Sequence, residues 1–391
     1  MCQLDRLIKC RNRAKLQESL GSLPSTLDKT YDLILCAISE EDSVYAIRAL
    51  RWLAISARPL YLDELAEVVA INTDRESSFE DDEVLEDPSD ILDICSSLVS
   101  ATKENSWSKR QVVVLAHYSI KEYLLSTRCL QGPATRFSML DATCHDIVAR
   151  SCLIYLLRWQ CIDTTNKGSP RHIKLARYSA EFWISHAQMA GEETDMLDRL
   201  IMELFSTADN AFANWIRVYN MDSRYPRSAG PYTSAPTPSP LYYAARFGLT
   251  KIVKMLLQSE VNVNAQGGRY GSALLGATRA RHTSVMRLLI EGGAKIDLPD
   301  HSGRTPLSLA AEMGFEAGVE LLLSKGADLE RSDCSGRTPL SWAADTHWHE
   351  RSTTLLLENG ASTTSRDNFM GWTPYTWYLD AGNTGHSNRK G

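Results

Sequence analysis

Thr305-Pro306-Leu307-Ser308-Leu309-Ala310-Ala311 returns as Thr338-Pro339-Leu340-Ser341-Trp342-Ala343-Ala344, and looser copies stand on either side. Upstream are Ser239-Pro240-Leu241-Tyr242-Tyr243-Ala244-Ala245 and Ser272-Ala273-Leu274-Leu275-Gly276-Ala277; downstream is Thr373-Pro374-Tyr375-Thr376-Trp377. Leu241, Leu274, Leu307 and Leu340 are 33 residues apart, and Tyr375 follows 35 later. A second phrase keeps time with the first: Leu256-Leu257, Leu289-Ile290, Leu322-Leu323 and Leu356-Leu357, before turns such as Gly293-Ala294 and Gly326-Ala327. A fixed period of this length means one supersecondary unit stacked on itself.

The repeat has a physical logic. Thr305 and Thr338 can cap a helix by accepting a backbone N–H bond. Pro306 and Pro339 then fall in the first turn, where a missing N–H costs nothing. Paired alanines allow two helices to approach closely. Gly248 and Gly314 suit the left-handed residue that ends a first helix. The leucine pair packs a second helix on the first, Gly326-Ala327 or Gly360-Ala361 ends it, and a loop bearing Gly303 or Gly336 projects as a finger. No single unit can bury its apolar face, so stability comes from neighbours.

These phrases resemble the ankyrin repeat in period and in the T-P-L-x-x-A core. The resemblance implies His after T-P-L, bonding across the turn. Here that position is Tyr242, Leu275, Ser308, Ser341 or Thr376, so the bond is expected to be weakened or absent. Copy four carries two extra residues, one near His347-Trp348-His349 and one near Asn368-Phe369-Met370. The fifth copy has no recognisable second helix, and polar Ala381–Gly391 is expected to fray. The repeats are expected at 239–271, 272–304, 305–337 and 338–372, with a stub at 373–391.

The chain has 391 residues, a net charge of −6 and nine cysteines without regular spacing. Its size allows two or three domains. The charge disfavours a general nucleic-acid-coating surface. No apolar stretch approaches the roughly 18 residues of a membrane span; Val112–Ala116 reads as a strand. Met1–Cys10 is no signal peptide, and the odd cysteine count favours reduced thiols in the cytoplasm, with the nucleus as alternative.

Residues 1–22 form a basic helical lead segment (Arg6, Lys9, Arg11, Arg13, Lys15), read as a solvated face over a nuclear address. Residues 23–127 read as one domain. Leu27, Tyr31, Ile34, Leu35 and Ile38 make a helical stripe opened by Pro24-Ser25. Val44, Ile47, Leu50, Ala54 and Ala57 make a second, stopped by Pro59; Leu62, Leu65, Val68 and Val69 make a third; Pro88 opens a fourth, Ile91–Leu98. Leu98–Thr102 and Gln111–His117 read as a hairpin, and Ser119 with Glu122 as a capping box. Helices followed by one small β-hairpin suggest a winged helix. The helix that would enter a DNA groove, Asp90–Leu98, has two Asp and no cation, and Asp74–Asp93 holds ten acids against Arg75 alone. Phosphate binding needs the opposite sign, so no direct DNA contact is expected.

Residues 128–220 read as a helical connector, with His145, Ile147, Val148, Cys152, Tyr155 and Leu156 on one face and Phe182, Trp183, Ile184, Leu200, Ile201, Leu204 and Phe205 on two more helices. Residues 221–238, rich in Pro, Ser and Thr, form a linker, and 239–391 the repeats. The expected fold is mainly all-α: an ankyrin-repeat solenoid preceded by a winged-helix-like domain and a helical connector.

Three further stretches, Leu23–Asp32, Arg58–Glu67 and Leu115–Leu125, resemble fungal NACHT–ankyrin proteins, which are STAND, NLR-like ATPases. The match falls on the region after their nucleotide-binding domain. The resemblance implies an ATP switch upstream, relayed by the winged helix, with the repeats sensing a ligand. No G-x-x-x-x-G-K-[ST] loop occurs in this chain, so the switch is assigned to no residue here. A natural half-protein and a truncated reading frame both fit.

Catalytic readings find little support. No G-x-S-x-G, H-E-x-x-H, C-x-x-C or G-x-G-x-x-G is present. His117 beside Ser119 could be a base activating a hydroxyl, but a buried His bonding a helix start is preferred. Cys144, His145, Cys152 and Cys161 fit no zinc spacing, and His347-x-His349 alone is weak. No catalytic residue, cofactor, metal, membrane or small-molecule substrate is expected.

The expected partner is another protein, bound along the concave surface by variable residues. The candidates are Gln266, Arg269, Tyr270, His301, Arg304, Arg337, Phe369, Met370 and Trp372 on the fingers, and Arg246, Phe247, Glu312 and Met313 on the inner helices. Arg304→Glu with Arg337→Glu is expected to abolish binding without lowering the melting temperature. A non-enzymatic adaptor is the leading reading; a nuclear transcription co-regulator and a remnant NLR-like receptor are the alternatives.

Overall fold

The computed structural model describes residues 26–73, 79, 81–104, 110–158, 174–191, 195–206, 210–219, 238–345 and 350–383. The expected lead segment, nearly all of the linker, Cys161, His347-Trp348-His349 and the tail from 384 lie outside those residues. The chain divides into two compact units, Met1–Asn220 and Met221–Gly391.

In the first unit, α1 (Leu27–Cys36) is capped by Thr26, whose hydroxyl accepts the Lys29 N–H at 3.3 Å. Pro24-Ser25, the expected start signal, lie outside the described residues. Helix α2 (Glu40–Ile55) buries Ala46, Ala49, Leu50, Trp52, Ala54 and Ile55, while Val44 is 48% exposed. The buried face is rotated from the expected stripe because Trp52 packs against Tyr178 (centroids 5.3 Å apart) and α2 packs on α4 (Asp90–Cys95). Between them lie β1 (Leu60–Tyr61) and α3 (Leu62–Val68).

The hairpin is present as β2 (Val99–Lys103) and β3 (Gln111–Leu115), paired Val99 with Leu115 and Ala101 with Val113. It is not alone. β1 joins the other edge of β3, Leu60 opposite Val113, giving a three-stranded sheet in the order β1-β3-β2. Two residues are too short to leave an alternation in sequence; the open edge of β3 recruits them. Helix α5 (Tyr118–Leu124) starts at His117, whose Nδ1 accepts the Ser119 N–H at 3.2 Å. The cap is therefore His117, not a Ser119–Glu122 box. Helices α6 (Thr127–Gln131), α7 (Asp141–Leu157), α8 (Ala176–Met189), α9 (Asp195–Leu204) and α10 (Ala211–Val218) complete the described part of this unit.

A buried aromatic cluster of Trp183, Phe205, Phe212 and Trp215 ties α8, α9 and α10 together, with Trp183 and Trp215 at 5.6 Å. The Trp215 indole N–H donates to the Ala180 carbonyl at 3.0 Å, so its buried polar atom is satisfied. The connector also locks onto the winged helix. Glu67 of α3 is 2% exposed and accepts the Tyr155 hydroxyl (2.6 Å) and the Leu175 N–H (2.9 Å). That carboxylate sits at the start of α8, where open N–H groups and the helix dipole favour negative charge.

The second unit is two layers of helices. The first helices are α11 (Pro240–Arg246), α13 (Ala273–Arg279), α15 (Pro306–Glu312), α17 (Pro339–Ala344) and α19 (Pro374–Asn383). The second are α12 (Thr250–Gln258), α14 (Thr283–Glu291), α16 (Glu316–Ser324) and α18 (Glu350–Glu358). Each first helix packs on the next first helix and each second on the next second. Ser239, Ser272, Thr305 and Thr338 all cap their helices through the side-chain oxygen.

Gly248 and Gly314 adopt φ of +72° and +57° as expected, and Arg281 holds the same turn of the second repeat at +62°. Where the family's His is missing, the bond is replaced rather than lost in the later repeats: Ser308 Oγ lies 3.0 Å from Thr305 Oγ1, and Ser341 Oγ 3.2 Å from Thr338 Oγ1. Helix α19 runs through Ala381–Asn383, one turn beyond the point where fraying was expected.

Side chains also zip successive repeats. Asn264, Asp297 and Glu330, 33 residues apart, accept the N–H of Lys295 (2.7 Å), Asp328 (3.1 Å) and Ser362 (2.7 Å) in the following unit. Fingers zip as well: Cys334 N–H donates to the Ser302 carbonyl at 3.0 Å, and Asn368 N–H to that of Ser335 at 2.8 Å.

Candidate protein-binding face of the repeats

Three of the fingers are small hairpins pinned by an aspartate; in the first, Gly267 holds that place and closes the turn by donating its N–H to the Gly271 carbonyl at 2.9 Å. Asp300, Asp333 and Asp367 donate their N–H to the carbonyls of Arg304, Arg337 and Trp372 at 2.9–3.0 Å. Their carboxylates turn inward. Asp367 Oδ1 accepts from the N–H groups of Phe369 (3.0 Å), Met370 (2.7 Å) and Gly371 (3.1 Å), and Oδ2 from the Trp377 indole (2.9 Å). Burial pushes its pKa up, but the hydrogen bonds from Met370, Trp377, Phe369 and Gly371 outweigh that and hold it below the usual range. Asp333 Oδ2 accepts the Trp342 indole N–H at 3.1 Å in the same way. The sequence reading missed these anchors, although Asp recurs five residues before both Thr305 and Thr338.

The last finger stands out. Phe369 is 85% exposed and Met370 54%, on a backbone held by three bonds to one carboxylate. Trp372, on the same finger, is half-buried with its ring centroid 4.9 Å from that of Trp377. Gln266, Arg269 and His301 are exposed on their fingers. Tyr270 is half-buried, with the Arg269 guanidinium 5.9 Å and that of Arg246 5.4 Å from its ring centroid. Phe247 stacks on Tyr243 at 5.9 Å and 9°. Arg246 and Phe247 are half-buried, and Arg246, Phe247, Tyr270 and Arg269 therefore form one cluster.

Arg304, Arg337, Glu312 and Met313 are placed differently from a free docking surface. The Arg337 guanidinium is sandwiched between the rings of Trp342 (3.7 Å) and Trp377 (3.9 Å), bonds Asp345 at 3.1 Å, and the residue is only 8% exposed. Arg304 bonds Asp300 and Glu312, both at 3.0 Å. Met313 gives its carbonyl to Arg281 and has Arg279 Nη1 2.8 Å from its sulfur. The expectation that Arg304→Glu with Arg337→Glu would leave the melting temperature unchanged is corrected: Arg337 holds two repeats together.

In the winged helix, Asp90 and Asp93 of α4 are exposed. His117 is exposed rather than buried, with Nδ1 2.6 Å from Ser119 Oγ, which is also 2.6 Å from the Tyr31 hydroxyl. Cys144 and Cys152 are buried in α7, and burial raises both thiol pKa values, Cys152 to about 12. His145 Nδ1 meets His186 Nδ1 at 2.8 Å, and His186 Nε2 meets the Tyr178 hydroxyl at 2.9 Å. Among the described residues, no helix is long and apolar enough to cross a membrane.

Comparison with known proteins agrees with this anatomy. The ankyrin-repeat family, in three copies, matches residues 241–333 and 274–367. The winged helix domain of GPI inositol-deacylase matches residues 31–138. The azaphilone pigments biosynthesis cluster protein L of Monascus ruber is 32% identical over 301 residues, 73% of this chain. The chain spans 63% of that relative's length. The protein thus carries a winged-helix domain of the GPI inositol-deacylase type followed by an array of ankyrin repeats.

Proposed function

We propose that this chain works by adhesion rather than catalysis, as an adaptor whose ankyrin array binds another protein. The observation that carries the reading is the Asp367 finger. A loop fixed by three backbone bonds holds Phe369 and Met370 out in water. Exposed large apolar groups on a preordered backbone lose little entropy on binding and are suited to fill a partner's pocket. The Monascus ruber relative is named for a pigments biosynthesis cluster. We extend the proposal to a partner serving such a cluster.

The test is affinity capture with the full tagged chain, followed by binary binding of each purified candidate. Phe369→Ala with Met370→Ala is expected to weaken the true partner about a hundredfold, the scale of a two-residue hot spot, with an unchanged melting temperature. Undiminished binding removes this finger from the interface; absence of any binary partner removes the adaptor reading. A second reading, part of an NLR-like receptor, is favoured by the order of winged helix and repeats, and a nucleotide-binding module encoded in frame upstream would support it.

A further inference from the structure

The array changes sign along its length. Residues 239–304 carry nine Lys or Arg against four Asp or Glu, and residues 305–383 carry five against eleven. The change is written into one structural position. The C-terminal end of the first helix carries Arg246, Arg279, Glu312 and, at the residue just past α17, Asp345 in the four successive repeats, each 33 residues apart. In repeats three and four that acid closes an ion pair with the finger arginine, Glu312 with Arg304 at 3.0 Å and Asp345 with Arg337 at 3.1 Å. In repeats one and two the same position is itself an arginine, and Gly271, 33 residues before Arg304, stands where the finger arginine facing Arg279 would be. The internal anion of repeats three and four is thus exchanged for a cation.

Apolar surface accompanies that charge. Arg246 lies over the rings of Phe247 (5.6 Å) and Tyr270 (5.4 Å), beside the exposed Arg269. Arg279, its Nη1 beside the Met313 sulfur, is exposed one repeat further on. Guanidinium groups laid on aromatic rings bind carboxylates through their edges while the rings take an apolar or aromatic side chain.

Resting on the adaptor reading, we infer that this face of repeats one and two receives an acidic polypeptide segment bearing aromatic side chains, supplied by the partner protein. A polypeptide fits better than a nucleic acid. A phosphate backbone carries unbroken negative charge, and continuing along the array it would meet Glu312 and Asp345. An acidic stretch of a protein can end where the sign changes.

Fluorescence anisotropy of the full chain with a labelled Glu/Tyr peptide tests this, with a Lys/Tyr peptide and oligo-dT as comparators. The acidic peptide is expected to bind more weakly as salt rises. Arg246→Glu with Arg279→Glu is expected to weaken it about tenfold or more. Lys254→Glu with Arg287→Glu, an equal charge change on exposed residues of the second helices, should weaken it less than about twofold. Arg246→Gln with Arg279→Gln should give an intermediate loss and serves if charge reversal impairs folding. Equal losses from the two charge-reversed pairs would mean diffuse attraction, and tighter oligo-dT binding on the same arginines would mean a nucleic-acid site; either overturns the inference. If a confirmed protein partner still binds the arginine variants but not Phe369→Ala with Met370→Ala, this inference fails and the adaptor reading stands.

Discussion

Arg337 lies face-on to Trp342, its guanidinium 3.7 Å from the ring centroid, and Trp377 of the next repeat covers the other side at 3.9 Å. Both indoles are held in place from behind by aspartates, Asp333 and Asp367. The stack crosses the boundary between repeats four and five. It ties helix α19 of the fifth repeat to the array.

Arg337→Ala is therefore expected to destabilise the protein by about 2–4 kcal/mol, combining a lost desolvated cation–π stack with a half-buried ion pair broken on one side. Arg337→Lys should recover only part of this, because an ammonium cannot stack as a planar group between two rings. Thermal and urea unfolding of both variants, with Arg304→Ala as the more exposed comparison, check the order. A melting temperature unchanged in Arg337→Ala would contradict the sandwich as a stabilising element.

The pair His145 and His186 is expected to make stability fall in mild acid. Burial, reinforced by the neighbouring His145, pulls the His186 pKa down to about 4, and burial lowers His145 as well. A base whose folded pKa lies below its unfolded value stays neutral in the native state while the unfolded chain takes up protons. Between the unfolded value near 6.5 and about 4, the unfolded state binds more protons and stability drops as pH falls. The slope for His186 approaches about 1.4 kcal/mol per pH unit. Comparing urea midpoints of the wild type and His186→Gln across this range isolates the contribution; parallel curves would refute it.

Glu67 is the hinge-pin between α3 and the start of α8. Glu67→Ala strands the Tyr155 hydroxyl and the Leu175 N–H, and is expected to cost about 3 kcal/mol or more from buried groups left unpaired. Tyr155→Phe removes one hydroxyl and its bond, and should cost about 1–2 kcal/mol. Chemical denaturation distinguishes the two; equal losses would show that the carboxylate's bond to the helix start contributes nothing.

Gly248→Ala tests the first repeat's turn. Its φ is +72°, and an added Cβ would stand 2.7 Å from His282 Cε1. Strain and contact together should cost about 1–3 kcal/mol. Arg281, at +62° in the equivalent turn, is expected to tolerate Gly with little loss, because relief of strain offsets its lost bond to the Met313 carbonyl. Melting temperatures of the two variants check the contrast.

Much of the array was legible because its signals are local. Thr305, Pro306 and Gly314 each act within one turn of chain, so cap, first turn and left-handed stop could be read in order. The winged helix was legible in outline, from stripes and a hairpin pattern. Its third strand was not, since Leu60–Tyr61 becomes a strand only when β3 offers an edge. The Ser119–Glu122 cap was misread for a similar reason: His117 occupies the cap once β3 delivers it there. Among the site residues, Phe369 and Met370 were legible as exposed finger residues, while Arg337 looked equally free.

The sequence by itself determined the period, the helix pairs, the turn glycines and the reversal of charge between the second and third repeats, because each follows from residue type at a fixed spacing. Only the tertiary structure decided which arginines are committed. Arg304 and Arg337 find Glu312 and Asp345 eight residues on, and Arg337 finds two tryptophans, one of them forty residues away. Whether a charge faces a partner or is spent inside depends on what the next repeat brings against it, and that is a property of stacking rather than of spacing.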